Sequence, residues 1–181
     1  MIATEPLLEF FTTTRQATED ICKPLQIEDY VVQPIVDVSP PKWHLGHSTW
    51  FFEEFILKKY KEGYKEFNSD FSYVFNSYYE SLGKRVVRTN RGNLSRPTVS
   101  EIYNYRSYVT ENMSLLLEQH PSKEVEALLE IGIHHEKQHQ ELLVTDIKYI
   151  LGYNPLLPVY TDSFKEHKEI THSQEWLNVT E

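Results

Sequence analysis

The histidines His135 and His139 lie four residues apart inside the longest helical pattern of the chain, residues 123–151, which Gly152 and Pro155 stop. At about 100° per residue, Leu128, Ile131, Gly132, Leu142, Tyr149 and Ile150 fall within about 60° of His135. His139 is about 40° away, in the middle of that apolar arc, while His134 and Gln138 sit at its edge. Glu126, Glu130, Lys137 and Lys148 occupy the opposite side. Such a helix must bury one face against partners, and two imidazoles on that face cost free energy unless something binds them. An i, i+4 pair of histidines on one face suits a single metal ion.

The rest of the chain supplies the partners. Residues 5–23 read as an amphipathic helix, with Thr4 as its cap and Pro6 in its first turn. Residues 26–42 form a long connection whose short apolar pieces are broken by Pro34 and the Pro40-Pro41 pair. A second helix starts at Ser39-Pro40 and runs to about Tyr60, apolar on most of its circumference and therefore central, with Gly63 at its end. A shorter helix at 71–82 stops at Gly83. Residues 84–97 make a basic loop, after which Thr98-x-x-Glu101 caps a helix through Gln119. Four long helices and no convincing strand predict an all-α four-helix bundle with an elaborated connection between the second and third long helices.

Composition narrows the function. A formal charge of -9 argues against nucleic acid as a main partner. The lone Cys22 cannot form an internal disulfide and reads as a core residue. The N-terminus lacks the pattern of a signal peptide and no apolar run reaches membrane-spanning length, so the expectation is a cytoplasmic protein without a membrane partner.

Two residues of one helix do not complete a metal site. A facing helix must contribute, and His44 and His47 in the second helix are the candidates, with Glu54 as a further carboxylate ligand or hydrogen-bond acceptor. Periodicity does not separate His44 from His47, because nearly every face of that helix is apolar. His120, His167 and His172 fall in turns or in the C-terminal stretch and read as surface residues. The segment His135-Glu136-Lys137-Gln138-His139 also spells H-E-x-x-H, in which Glu136 would be the general base of a zinc hydrolase. No third-ligand continuation follows, so the spelling is read as incidental.

Four segments taken together carry a resemblance: residues 41–53 (Pro-Lys-Trp-His-Leu-Gly-His-Ser-Thr-Trp-Phe-Phe-Glu), 75–80, 88–97 and 135–148. The chain resembles the N-terminal, DinB-like domain of EgtB-type sulfoxide synthases of ergothioneine biosynthesis, a pattern the ovothiol-pathway synthases share. The resemblance implies a DinB-like bundle holding non-haem iron(II) on His47, His135 and His139, with zinc or nickel as substitutes. Its implied substrates are hercynine (N-trimethylhistidine), a cysteine or γ-glutamylcysteine thiol, and O2, joined by C–S bond formation and sulfoxidation. By the same resemblance Arg88 and Arg91, with Arg85 as a third, bind carboxylates of the thiol substrate, a task suited to guanidinium forks. Gln138 matches a family residue that contacts the hercynine side, and Tyr78 and Tyr79 either line the cleft or pack in the core.

In domain terms, residues 1–160 are expected to be the metal-binding bundle. Residues 161–181 are expected to be a linker and the start of a formylglycine-generating-enzyme-like domain, expected in cis, which in the family supplies the catalytic tyrosine. Two other classes fit the residues: a metal-dependent hydrolase or thiol transferase, and a non-enzymatic metal-binding helical module.

Overall fold

In a computed structural model of the protein, residues 4–77, 84–119 and 121–162 are described. Tyr78, Tyr79, Gly83, His120, His167, His172 and the expected second-domain start from residue 163 lie outside them. Among the described residues every regular element is helical. The long ones are α1 (Thr4–Cys22), α2 (Pro41–Phe52), α4 (Val99–Leu117) and α5 (Lys123–Tyr153), with a short α3 (Phe71–Phe75) between α2 and α4. A π-helical turn, Glu53–Leu57, and a last turn, Lys58–Tyr60, prolong α2 to the predicted end at Tyr60. Gly63 follows at φ 68, in the left-handed region that glycine enters without steric cost.

The four long helices form a bundle in which α1 packs on α5 and α4, and α2 packs on both α4 and α5. As its composition demands, every residue of α2 is buried. Two glycines make this packing tight. A Cβ on Gly132 of α5 would lie 2.4 Å from Phe52 of α2, and one on Gly46 of α2 would lie 2.2 Å from the Phe75 ring.

The loop between α2 and α4 is held rather than solvated. The buried Lys42 ammonium donates to the carbonyls of Leu94 and Pro97, and a 3-10 turn, Arg88–Asn93, carries the arginines back to the start of α2. The Thr98 hydroxyl and Glu101 form the predicted capping box at the head of α4. Cys22 is fully buried, with its thiol pushed up to about 12 by burial, as fits a core residue.

Four local expectations change. The short helix expected over 71–82 ends at Phe75, where Asn76 turns to extended backbone. Pro40, not Ser39, precedes α2; Ser39 instead uses its N–H on Asp146 and its hydroxyl on Arg91. The α5 helix passes through Gly152 to Tyr153 and is capped at Asn154. The core-facing arc of α5 is centred on Glu136, about 100° from His135, among Leu129, Gly132, Ile133, Leu143 and Ile147. Ile131, Leu142 and Tyr149, which widened the predicted arc toward His135, are exposed to 56%, 45% and 39%. The histidine pair therefore lies at the border between core and surface, not in the middle of the buried face.

Candidate metal centre

His47 on α2 and His135 and His139 on α5 converge. Each offers one nitrogen, and these atoms all lie within 4.8 Å of one another. The helical repeat explains the α5 pair, whose rings are 4.7 Å apart between centroids. His47 reaches them because Gly132 and Gly46 allow the close approaches that set α2 against α5 and α3.

Two of the three rings are held from behind by hydrogen bonds. The Nδ1 of His47 donates to the Phe75 carbonyl oxygen at 2.6 Å, which leaves Nε2 as its lone-pair atom. The same ring is stacked between Trp43, at 4.5 Å and 14°, and Trp50, at 5.6 Å and 17°. The Arg91 guanidinium lies 3.3 Å from the Trp43 ring centre on that stack. His139 meets His44 through their Nδ1 atoms at 2.9 Å. The Nδ1 of His135 is buried and has no hydrogen-bond partner among the described residues, the kind of orphaned polar atom that coordination would satisfy.

Electrostatics keep the three rings in the form a metal needs. Burial holds the His135 imidazole down at about 4. Burial, with His135 beside it, pushes His47 well below the ordinary histidine value. His139 is lowered further by burial together with His47, His44 and His135 around it. All three are neutral at pH 7 and present lone pairs, so the set fits a divalent ion that accepts imidazole ligands.

The cluster lines a cleft of about 390 Å³. Arg88, Arg91 and Gln138 also line it, Gln138 from an exposed position on α5. Arg88 is exposed at the rim, where it donates to the Asp37 carbonyl. Arg91 is only 6% exposed and donates to the hydroxyls of Ser39 and Ser77. Arg85 does not line that cleft: it donates to the Ser77 carbonyl and, together with Arg88 and Arg91, lines a smaller cavity of about 140 Å³.

Other sequence candidates lie elsewhere. Glu54 bonds Lys58 and Ser72 and is not grouped with the histidines. His134 is exposed, its ring edge-on to Phe10. Glu136 points away from the histidines into the bundle centre, where it is fully buried. There Arg15 of α1 donates to one carboxylate oxygen at 2.9 Å, and Arg106 of α4 and Thr18 donate to the other at 2.9 and 2.8 Å. Burial alone would raise this carboxyl, but the two guanidiniums outweigh it and hold it at about 2. With its oxygens committed to that network, Glu136 cannot act as the general base of an H-E-x-x-H hydrolase.

Sequence reasoning missed Arg15, Arg106 and Asp146. Arg106 lay within reach: it is a charge four residues after Ile102 and three before Val109, squarely on the apolar face of α4. Asp146 is seven residues beyond His139, two helical turns along the same stripe.

Among curated proteins, none is similar enough to the chain to count as a match. The DinB superfamily matches residues 11–143. That span covers well over half of the sequence, from α1 into α5, and includes all three clustered histidines. With an all-helical bundle and a histidine trio between α2 and α5, the chain belongs to the DinB superfamily.

Proposed function

We propose that the histidine trio is a metal centre and that the chain is the iron(II)-binding domain of an oxygen-dependent, C–S bond-forming sulfoxide synthase of the EgtB type. The observation that carries the metal reading is the approach of three neutral imidazole nitrogens to within 4.8 Å of one another beside an open cleft. The choice of iron and of this reaction rests on the sequence resemblance over residues 41–53, 75–80, 88–97 and 135–148. His47, His135 and His139 would hold the iron(II) ion, which would supply Lewis-acid and O2 chemistry there.

The chain's own residues divide the remaining work. Trp43 and Trp50 hold the His47 ring in one plane, and the Phe75 carbonyl fixes its tautomer. Arg88 at the rim and Arg91 against Trp43 put positive charge on the cleft wall, where they would meet carboxylates of a cysteine or γ-glutamylcysteine thiol. Gln138, on the α5 side, would contact hercynine. Arg85, outside the histidine cleft, would act through Ser77 rather than on substrate. A second domain in cis would supply the remaining catalytic groups.

Elemental analysis of protein purified without a histidine tag tests the metal reading. The expected result is stoichiometric iron, lost in His135→Ala and His139→Ala while far-UV circular dichroism remains helical. Metal retained at full stoichiometry in both variants would overturn it. Oxygen consumption with hercynine and γ-glutamylcysteine by the full-length enzyme, abolished when zinc replaces iron, would separate the oxygenase from a hydrolase or thiol transferase.

A further inference from the structure

Behind the trio lies a second pair of groups that sequence reasoning did not join. His44 is 3% exposed, with Nδ1 2.9 Å from Nδ1 of His139 and Nε2 2.8 Å from Oδ2 of Asp146. Asp146 is itself 8% exposed, and the same oxygen accepts the Ser39 backbone N–H at 2.9 Å. We propose that His44 and Asp146 are positioning residues of the metal centre, a carboxylate–imidazole relay that fixes the tautomer and orientation of the ligand His139. The proposal rests on the metal-binding reading of the trio.

Proton counting gives the relay its direction. An ionised carboxylate only accepts, so the hydrogen between Asp146 and His44 is on His44 Nε2. A neutral imidazole with hydrogen on Nε2 has a lone pair on Nδ1. The hydrogen between the two Nδ1 atoms therefore belongs to His139, and His139 is left with its lone pair on Nε2. His47 reaches the same state through the Phe75 carbonyl. The difference is that His139 donates to an imidazole that is itself backed by a carboxylate, which makes it a better donor to a metal than a ring facing a neutral carbonyl. The relay also ties the site to the fold: Asp146 accepts from the Ser39 N–H just before α2, and His44 lies in the first turn of the helix that carries His47.

Cobalt(II) affinity, measured anaerobically by competition with a chelator and read from the cobalt ligand-field absorption, tests this. His44→Leu removes the acceptor and is expected to weaken binding about 10- to 100-fold. His44→Asn places a carbonyl oxygen near the former Nδ1 without the link to Asp146, and should recover part of the loss and return the absorption spectrum toward that of the wild type. Equal affinity in wild type and His44→Leu overturns the relay. So does a His44→Asn protein as weak as His44→Leu, because packing alone would then explain the loss. Should His44→Leu fail to fold, Asp146→Asn carries the test: it keeps the shape and removes the carboxylate, and unchanged affinity would overturn the proposal. The parent reading fails differently. His139→Ala binding cobalt as tightly as wild type, or wild type binding none, would remove the metal centre itself and the relay with it.

Discussion

Glu136 shows how differently neighbouring side chains on one helix can be used. It stands beside His135 in sequence, yet it faces two guanidiniums in the bundle core while the histidines face a cleft. Removing one member of a buried ionic group leaves the others desolvated without compensation, a loss of about 3–5 kcal/mol. Glu136→Gln, which preserves shape and one acceptor, should therefore destabilise the fold by that order in urea unfolding at neutral pH. The carboxyl is drawn from 4.5 down to about 2 on folding, so its contribution is full above the unfolded value and disappears as pH falls through the folded one. The gap between wild type and Glu136→Gln should accordingly narrow between pH 4.5 and about 2. At this scale the histidines were legible because imidazoles in an apolar pattern stand out. The glutamate was not, because a charge is ordinarily assigned to solvent unless its partners are known. Arg15 and Arg106 sit 91 residues apart on other helices, joined only by the fold, where Arg106 also donates to the Arg15 carbonyl.

Among the elements, α5 was legible in extent and misread in rotation. Its start at Lys123 and its length follow from periodicity and the stops at Gly152 and Pro155, whereas Ile131, Leu142 and Tyr149 are apolar residues that the fold leaves exposed, and they displaced the predicted buried arc toward the cleft. Gly132 fixes the true rotation. It lies on the core face against Phe52, four residues before Glu136 and three before His135. Alanine at this position gains about 1 kcal/mol in helix propensity. Its Cβ, however, would sit 2.4 Å from a fully buried phenylalanine ring. Overpacking of this kind costs about 1–3 kcal/mol. The net expectation for Gly132→Ala is a modest loss of stability by chemical unfolding. Cobalt affinity should also fall, because pushing α2 from α5 separates His47 from the α5 pair. Gly152→Ala, where none of the described residues lies within 4 Å of the added carbon, is the control and should leave affinity unchanged. The Ser39 misreading has a similar origin: a hydroxyl before Pro40-Pro41 looks like a cap, but Arg91, distant in sequence, takes that oxygen.

For the whole molecule, the bundle was legible because four long helical patterns, one of them apolar nearly all round, without strands admit few architectures. The neighbour relations that build the site were not, since nothing local says that α2 packs against α5. Those relations make the trio a bridge: one ligand comes from α2 and two from α5, which are 88 residues apart between His47 and His135 if read from their numbers alone. A metal ion bound there touches both helices at once and binds only the folded chain, because the unfolded chain does not hold the three nitrogens together. Free cobalt at 100 times its dissociation constant should then stabilise the fold by about 2.7 kcal/mol. For a domain of this size each kcal/mol raises Tm by about 2–4 °C. The melting temperature should rise by roughly 5–11 °C on saturation, as followed by circular dichroism. His139→Ala should show no rise at the same cobalt concentration, and His134→Ala, on the exposed side of α5, should show the full rise. An equal shift in His139→Ala would mean that cobalt acts elsewhere on the surface, and the bridge between α2 and α5 would have to be abandoned.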